Sequence, residues 1–221
     1  MRAILIGATG LIGGSLLEKL LKDPAFSRIK LISRTPVGIQ HAKLGEAIIN
    51  FDNEAMFKKE VTDADVLFCT VGTTQKKVKG DNELYRKIDF GIPVNAAKFC
   101  AEQHIGKYVL VSSVGANASS SNFYLQLKGE TETAVLSQSL STVYIMRPSI
   151  LLGNRNESRP GETIGKAVMQ FFSLFLFSGI AKYKAIHAKD VAEAMLAASK
   201  KIVVGKFICE YQQMMALIHG R

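Results

Sequence analysis

The length and composition of this chain are typical of a globular protein with a substantial core. Its 221 residues are 48% hydrophobic and 21% charged, which fits one folded domain. The formal net charge of +9 favours phosphorylated ligands, but the scattered lysines form no basic stripe with interleaved aromatic residues, which argues against nucleic-acid binding.

The cysteines and histidines bear on the compartment and on metal binding. Cys69, Cys100 and Cys209 are few, odd in number and widely separated, and the four histidines are equally dispersed. This spacing fits neither a disulfide framework nor a metal site. We therefore expect a reducing compartment, with a cytoplasmic location, and no bound metal.

The first element of the chain carries the strongest functional signal. Ala3–Ile6 is an apolar run of strand length, and it is followed by Gly7, Gly10 and Gly13 and by the amphipathic segment Leu11–Lys22. A strand, a glycine turn and a helix in this order form the context of a dinucleotide-binding fingerprint. The glycines let the backbone approach a pyrophosphate, whose charge the helix N-terminus favours.

The rest of the chain continues the alternation of strands and helices. Strands are predicted at Ala3–Ile6, Ile29–Ser33, Ala47–Phe51, Val66–Thr70, Tyr108–Ser112 and Val143–Arg147, and helices at Leu11–Lys22, Asn82–Gln103 and Phe123–Gln138. This order predicts an α/β fold of the Rossmann type, a doubly wound parallel sheet with helices on both faces. We expect a single domain over residues 1–221, in which residues 149–185 and 205–221 contribute a small substrate-side lobe.

Ligands of such folds bind beyond the carboxyl ends of the strands, so the residues there are the candidates for cofactor contacts. Ser33 and Arg34 lie at the end of the second predicted strand, where NAD-preferring domains usually carry an acidic residue. A guanidinium suits a 2′-phosphate instead, which predicts NADP(H) as the cofactor. Asp52, after the third strand, is expected to accept a hydrogen bond from the adenine amino group.

The loop after the fourth predicted strand supplies further candidates. It contains Val71, Gly72 and Thr73. The glycine lets the backbone pass close to the cofactor, and the threonine offers a hydroxyl. We expect all three to contact the cofactor.

Catalytic candidates follow the fifth predicted strand. Ser112 and Ser113 end that strand, and Tyr124 and Lys128 lie four residues apart on the next helix, hence on one face. A nearby ammonium favours the phenolate form of tyrosine, which suits an acid/base catalyst. A serine hydroxyl can hold the substrate oxygen. The set predicts hydride exchange between a nicotinamide and an alcohol or ketone.

One strongly apolar stretch, Phe171–Gly179, has no assigned role. It is too short to span a membrane, and we expect no integral membrane segment. A pocket wall, a contact with a neighbouring subunit and a contact with a membrane surface all stay open, as does the oligomeric state.

Nearly the whole chain resembles an atypical extended short-chain dehydrogenase/reductase. The shared motifs are Gly7-x-x-Gly10-x-x-Gly13, Ser112-Ser113, Tyr124-x-x-x-Lys128, Arg147-Pro148-Ser-Ile-Leu-Leu and Ile186-His-Ala-Lys-Asp190-Val-Ala-Glu-Ala. Three stretches resemble more narrowly the Tat-interacting-protein oxidoreductase subfamily. They are Val71-Gly-Thr-Thr74, Ser120-Ser-Asn-Phe-Tyr-Leu-Gln-Leu-Lys-Gly-Glu130 and Arg155-Asn-Glu-Ser-Arg-Pro-Gly-Glu162.

The resemblance implies a Rossmann fold that binds NADPH or NADP, with Arg34 on the 2′-phosphate. The phosphate turn that it implies consists of Gly7, Thr9, Gly10, Leu11 and Ile12. The loop that it implies beside the nicotinamide contains Arg147, Pro148 and Ile150.

The resemblance also implies catalytic roles. Ser113, rather than Ser112, is the hydroxyl that orients the substrate. Tyr124 is the acid/base, and Lys128 is the ammonium that tunes Tyr124 and binds the nicotinamide ribose.

Together these observations predict an NADP(H)-dependent oxidoreductase acting on a small carbonyl or alcohol substrate. Two alternatives stay open. One is an NADPH-binding regulatory module that a protein partner recognises, as discussed for relatives in this subfamily. The other is a sugar-nucleotide epimerase, which uses the same Ser, Tyr and Lys with tightly retained NAD.

Overall fold

The computed structural model describes residues 1–152 and 183–220. Its strands are β1 (Arg2–Ile6), β2 (Arg28–Ser33), β3 (Leu44–Ile48), β4 (Val66–Cys69), β5 (Lys107–Val111), β6 (Thr142–Met146), β7 (Leu151–Leu152), β8 (Ile186–His187) and β9 (Gly205–Cys209). Its helices are α1 (Leu11–Lys22), α2 (Glu54–Glu60), α3 (Asn82–Arg86), α4 (Ile92–Glu102), α5 (Phe123–Leu136), α6 (Ala188–Lys200) and α7 (Tyr211–Ile218). A π-helical segment, Lys87–Gly91, joins α3 to α4. The stretch Phe171–Gly179 and the motif Arg155–Glu162 lie outside the described residues.

Seven of these strands form one parallel sheet in the order β3-β2-β1-β4-β5-β6-β9. The chain proceeds from β1 toward one edge through β2 and β3, and then crosses to β4 on the other side of β1. Ligands of open α/β sheets bind at such a switch point, beyond the carboxyl ends of the strands. The predicted Rossmann-type fold is thereby confirmed, and the site is expected above β1 and β4.

Successive side chains of the strands point into two different cores. In β1, Ala3 and Leu5 pack on the face covered by α1 and α6, whereas Ile4 and Ile6 pack on the face covered by α2, α4 and α5. Because both faces are covered, the central strands are continuously apolar. All of β4, Val66–Cys69, is buried.

The third strand lies earlier in the chain than predicted. β3 pairs with β2 from Leu44 to Ile48, whereas the apolar pattern predicts Ala47–Phe51. Phe51 lies after the strand and packs edge-to-face on Phe57 of α2, with 4.9 Å between the ring centroids. The apolar run therefore marks packing beyond the strand as well as the strand itself.

The long helix predicted at Asn82–Gln103 is divided into α3, the π-helical segment and α4. Pro93 has no N–H with which to bond the carbonyl of Asp89 four residues earlier. That carbonyl lies 3.2 Å from the hydroxyl of Thr131 in α5, whose nearer acceptor is the Leu127 carbonyl at 2.7 Å. The break brings the side chain of Asp89 into the interior, where it is 1% exposed.

The C-terminal region extends the main sheet. β9 pairs in parallel with β6 as its last strand, and α7 follows it, so residues 205–209 belong to the sheet rather than to a separate lobe. The larger part of the predicted lobe lies outside the described residues, and its existence stays a prediction. In residues 1–152 and 183–220, no helix is both long and apolar enough to cross a membrane.

Candidate cofactor site and active site

The turn between β1 and α1 depends on residues that lack a side chain. Gly7 has a φ of +92°, in the region that favours glycine. A Cβ on Gly7 would lie 2.7 Å from Thr70 Oγ1, and one on Gly13 would lie 2.1 Å from the carbonyl oxygen of Gly7. The absence of both Cβ atoms lets α1 start directly against the end of β1.

Thr70, which follows β4, fastens this turn from the neighbouring strand. Its hydroxyl lies 3.0 Å from the carbonyl oxygen of Ile6 and 3.1 Å from that of Gly7. Sequence analysis missed this role. The available signal was the position of a hydroxyl residue directly after a buried strand next to β1.

The predicted phosphate-turn residues are contiguous at the start of α1. Thr9 and Gly10 are exposed, Leu11 is half-buried and Ile12 is buried. Gly10 is the N-cap, with no side-chain hydrogen bond at the cap and no acidic residue in the first turn. The first-turn N–H groups and the positive end of the helix dipole favour an anion. The turn therefore fits the pyrophosphate of a dinucleotide.

The predicted 2′-phosphate ligand lies on a loop that a carboxylate shapes. Arg34 is exposed and pairs with no other described residue. Ser33 donates from its hydroxyl to the carbonyl of Thr35 (2.9 Å) or to the carboxylate of Glu46 (3.1 Å). Glu46 also accepts from the backbone N–H of Val37 at 2.9 Å. Sequence analysis missed Glu46, which precedes the predicted third strand.

Asp52, the predicted adenine contact, is exposed at the same edge of the sheet. Its carboxylate pairs with the ammonium of Lys87 at 2.7 Å. Because this pair is open to solvent, it does not prevent Asp52 from contacting a ligand, and the adenine contact stays a prediction.

The β4 loop (residues 70–74) is held from below by the α3–α4 region. The N–H of Thr73 donates to Asp89 Oδ1 at 2.7 Å, and the carbonyl of Thr73 accepts from the hydroxyl of Tyr85 at 3.2 Å. A Cβ on Gly72 would lie 3.8 Å from Asp89 Oδ2. The predicted cofactor residues Val71, Gly72 and Thr73 thus lie directly over a buried carboxylate.

Lys128 reaches that same carboxylate from α5, and Tyr124 lies one turn before it on the helix. The helix starts after Asn122, whose side chain accepts from the N–H of Leu125 at 3.1 Å. Lys128 Nζ lies 2.8 Å from Asp89 Oδ2 and 5.9 Å from the centroid of the Tyr124 ring. Tyr124 is half-buried and Lys128 is buried. The structure therefore brings the predicted acid/base pair to the β4 loop.

The charge of Lys128 is set by opposing effects. Burial lowers the pKa of the Lys128 ammonium, but the Asp89 carboxylate and Tyr124 raise it, and the net result lies above the usual lysine value. Lys128 is thus a cation at neutral pH. The pKa of the neighbouring Tyr85 phenol is raised by burial and then by Asp89, so Tyr85 stays neutral.

Gly129 explains how α5 can approach the loop that precedes it. A Cβ at this position would lie 2.1 Å from the backbone nitrogen of Ala118 and 2.2 Å from the carbonyl carbon of Asn117. The N–H of Asn117 also donates to the carbonyl of Leu125 at 3.0 Å. These contacts fix the segment that connects the two serines to Tyr124.

The two strand-end serines have different partners. Ser112 donates to the buried carboxylate of Glu132. The Ser113 hydroxyl is bonded only to the adjacent carbonyl of Val114, at a long 3.3 Å, among the described residues. Ser113 is therefore the serine whose hydroxyl is more easily redirected to a ligand.

Arg147 is paired with two carboxylates. Its guanidinium binds both oxygens of Glu132, with Nε at 3.0 Å and 3.1 Å, and lies 4.0 Å from Glu210. The hydrogen bonds to Glu132 raise the pKa of Arg147. The Arg147 side chain is 20% exposed, and its contact with the cofactor stays a prediction.

The other two residues of that loop make backbone contacts. The Pro148 carbonyl accepts from the N–H of Val114 at 2.9 Å, and the Ile150 carbonyl accepts from the N–H of Ile186 at 3.0 Å. These bonds connect the end of β6 to the segment that carries Ser113 and to β8. A contact of either residue with the nicotinamide stays a prediction.

Cysteines and metal-ligating residues add no second site in the part of the chain that the structure describes. Cys69, Cys100 and Cys209 are unpaired and buried. Burial raises the pKa of the Cys69 thiol, which makes it a poor nucleophile. No group of three or more His, Cys, Asp or Glu residues is placed to hold a metal ion among residues 1–152 and 183–220.

A family of NAD(P)H-binding proteins matches residues 7–202 of this sequence. The chain belongs to this NAD(P)H-binding family. Within the family it is similar to the Candida albicans protein FMP52, with 31% identity over 93% of this chain and 91% of that protein. It is also 35% identical to FMP52-1 of Scheffersomyces stipitis over 72% of this chain and 71% of that protein.

The chain is also similar to rat HTATIP2, which is 31% identical over 87% of this chain and 78% of that protein. This match confirms the resemblance to the Tat-interacting-protein subfamily. Among solved structures, UDP-N-acetylglucosamine 4-epimerase of Methanobrevibacter ruminantium superposes with a TM-score of 0.70 at 17% identity, covering 95% of this chain and 76% of that one. UDP-glucose 4-epimerase of Thermotoga maritima also gives 0.70, at 14% identity, over 99% and 82%. At these identities the likeness shows the fold alone.

The relatives correct one expectation. The proteins FMP52 and FMP52-1 from several fungi are named as mitochondrial proteins. The prediction of a cytoplasmic location, which depended on cysteine spacing, is therefore wrong. Unpaired cysteines indicate reducing conditions but do not tell one reducing compartment from another.

Proposed function

We propose that this protein is an NADP(H)-dependent oxidoreductase that transfers hydride to or from a small carbonyl or alcohol substrate. The observation that carries the proposal is the position of the acid/base pair. Lys128, beside Tyr124, is paired with Asp89, whose other oxygen binds the N–H of Thr73. A single side chain, that of Asp89, thus connects the acid/base pair to the β4 loop. This loop lies at the switch point of the sheet, where such folds bind ligands.

The glycine turn supports binding of the cofactor. Gly7, Gly13 and the uncapped start of α1 leave room and N–H groups for a pyrophosphate. Arg34 would bind the 2′-phosphate, which favours NADP over NAD. When bound, a reduced nicotinamide supplies the hydride.

The roles of the side chains follow from their protonation and contacts. Tyr124 would donate its phenolic proton to the carbonyl oxygen during reduction, and accept a proton from the alcohol during oxidation. Lys128, a buried cation, would stabilise the phenolate form of Tyr124 and bind the ribose hydroxyls. Ser113 would hold the substrate oxygen, since its present bond to Val114 is weak.

The proposal is tested by turnover of NADPH with a panel of aldehydes, ketones and quinones. We expect Tyr124→Phe to reduce turnover about 10²–10⁴-fold, the usual contribution of a positioned acid/base, while NADPH affinity is retained. Tyr144→Phe is a matched control, because Tyr144 stacks on Phe207 at 4.7 Å in the outer strands of the sheet. Undiminished turnover by Tyr124→Phe would contradict the assignment.

Wild-type protein and Tyr124→Phe also distinguish two alternative functions. Tight NADPH binding without turnover of any substrate, together with capture of a partner that depends on NADPH and survives Tyr124→Phe, would favour a regulatory module. Copurified NAD and conversion of a nucleotide sugar would favour an epimerase.

We also infer that the protein resides at mitochondria, on the strength of the names of its fungal relatives. Fluorescently tagged protein expressed in yeast is expected to colocalise with a mitochondrial marker. A diffuse signal throughout the cell would contradict this inference.

A further inference from the structure

Three parts of the molecule converge on the side chain of Asp89. Its Oδ1 accepts from the N–H of Thr73 in the β4 loop, at 2.7 Å, and its Oδ2 lies 2.8 Å from Lys128 Nζ of α5. Its backbone carbonyl lies 3.2 Å from the hydroxyl of Thr131, also in α5. Asp89 and Lys128 are both almost fully buried, with side chains 1% and 7% exposed.

We propose that Asp89 is a positioning residue that holds the Lys128 ammonium beside Tyr124 and ties it to the β4 loop. This inference rests on the proposed function, because it concerns the same acid/base pair. Asp89 acts through Lys128 and Thr73 and need not touch the substrate.

The energetics of the Asp89–Lys128 pair point to a functional role. A buried ion pair costs several kcal/mol of desolvation, and apolar residues of similar volume often give equal or greater stability. Oδ2 accepts a hydrogen bond from no other described residue, so this pair lacks the full set of bonds that would make it a favourable structural element. Its presence is better explained by a task that requires a charged lysine.

The backbone around Asp89 also points to a functional role. Asp89 lies in the middle of the π-helical segment Lys87–Gly91, and such segments occur often at functional sites. The irregularity turns the carboxylate toward α5 and the β4 loop, whereas the flanking Lys87 stays at the surface. A helix with only a structural role has no need of this π-helical irregularity.

The arrangement fixes the donors of Lys128. An ammonium has three N–H groups. The contact with Asp89 Oδ2 engages at most one of them, so at least two are available toward Tyr124 and a ribose. Because Asp89 also holds Thr73, a shift of the β4 loop on cofactor binding is transmitted to the ammonium. The other titratable groups that face the pair are Tyr85, Tyr124 and Cys69.

The test compares three variants of the full chain with wild type. Asp89→Asn removes the charge but keeps an acceptor for Thr73, and Asp89→Ala removes both. Asp81→Asn is the matched control, because Asp81 caps α3 by accepting from the N–H of Leu84 at 2.9 Å and asparagine caps equally well.

The first readout is the pH titration of the Lys128 Cε signal by NMR of ¹³C-lysine-labelled protein, with Lys128→Arg used to assign the signal. We expect the titration midpoint of Lys128 to fall by about 1–3 pH units in Asp89→Asn, as removal of an adjacent opposite charge predicts. Asp81→Asn should leave it unchanged. An unchanged midpoint in Asp89→Asn would overturn the proposal.

The second readout is NADPH affinity by fluorescence titration. We expect Asp89→Asn to stay within about threefold of wild type and Asp89→Ala to lose about tenfold or more, because only the alanine leaves the Thr73 N–H unpaired. Equal affinities in Asp89→Asn and Asp89→Ala would overturn the link to the β4 loop. If no protein, wild type included, binds NADPH, the proposed function fails, whereas the lysine titration still tests the pair.

If Asp89→Asn does not fold stably, a double variant still tests the proposal. Removal of one partner of a buried pair strands the other charge, and removal of both relieves it. We expect Asp89→Asn/Lys128→Met to recover most of any stability lost by Asp89→Asn. Failure of the second change to restore any stability would show that Asp89 does not act through Lys128, and would overturn the proposal.

Discussion

Two buried ion pairs lie one turn apart on α5, and they are built differently. Lys128 pairs with Asp89 on the side of the β4 loop, and Glu132 pairs with Arg147 on the side of β6. Both carboxylates are almost fully buried, at 1% and 3% exposure. The Glu132 carboxylate binds Arg147 through both oxygens and also accepts from Ser112. The Asp89 carboxylate has a single hydrogen bond, from Thr73, besides its contact with Lys128.

The difference separates a structural pair from a functional one. The Glu132 pair is saturated with hydrogen bonds, and it joins α5 to the ends of β5 and β6. The Asp89 pair leaves ammonium N–H groups unassigned and lies next to Tyr124. The first pair should therefore govern stability, and the second should govern cofactor binding and chemistry.

Removal of Glu132 should have the largest effect. We expect Glu132→Ala to lower the free energy of unfolding by about 3 kcal/mol, because the largely buried guanidinium of Arg147 loses its hydrogen-bonded partner and keeps only the 4.0 Å contact with Glu210. Urea denaturation measures this loss. Glu130→Ala is the control, since Glu130 pairs with exposed Arg86 and should cost no more than about 1 kcal/mol. Equal losses of stability in Glu132→Ala and Glu130→Ala would contradict a structural role for the Glu132 pair.

The two serines sharpen the same comparison. We expect Ser113→Ala to reduce turnover about 10²-fold, the effect of losing one donor to a developing oxyanion, with stability unchanged. Ser112→Ala should cost about 1 kcal/mol of stability, because Glu132 loses a bond, and should leave turnover nearly intact. The reverse pattern in turnover assays and denaturation would assign catalysis to Ser112.

Replacement of Arg34 tests the part of the proposed cofactor site that would bind the 2′-phosphate. We expect Arg34→Ala to weaken NADPH binding about 10–100-fold, because charge-assisted hydrogen bonds to the 2′-phosphate are lost, and to leave NADH binding unchanged. Fluorescence titration of both cofactors measures the difference. An equal loss for both cofactors, or none for either, would argue that NADP is not the preferred cofactor.

The smallest expected effect is a pH dependence. The folded-state pKa of Lys128 is raised above its usual value of 10.5, so the stabilisation from its pair is complete below that pH and is lost as the pH rises through the folded-state value. In Asp89→Asn the main effect that opposes the burial of Lys128 is removed, so the folded-state pKa of Lys128 falls and the variant loses less stability in this range. The stability gap between wild type and Asp89→Asn should therefore narrow above pH 10.5, by at most about 1.4 kcal/mol per pH unit. Guanidinium unfolding at several pH values checks this, and a constant gap would contradict it.

The parts of the fold that local chemistry determines were predictable from sequence. The glycine spacing of Gly7, Gly10 and Gly13 is a backbone requirement, and the central strands are apolar because both faces of the sheet are covered. β3 was misplaced because an edge strand has a weaker apolar signal than the packing residue Phe51 beyond it. The break at Asp89 was missed because a helical pattern continues through it, although Pro93 was a visible signal.

The candidate site was predictable only where residue types are themselves diagnostic. Tyr124 and Lys128 were found by spacing, since four residues make one turn. The long-range partners Asp89, Glu46 and Thr70 were not assigned, because each becomes meaningful only when strands and helices distant in sequence are brought together. The same reason explains why the pairing of Arg147 with Glu132, which lies on another element, was not foreseen.

The most direct test of the account is a crystal structure of the protein with bound NADPH. The account predicts the pyrophosphate at the start of α1, the 2′-phosphate at Arg34, and the nicotinamide ribose within hydrogen-bond distance of Lys128, with the ring against Tyr124. A nicotinamide turned away from Tyr124 and Lys128, with the adenosine half bound as predicted, would contradict the proposed oxidoreductase chemistry.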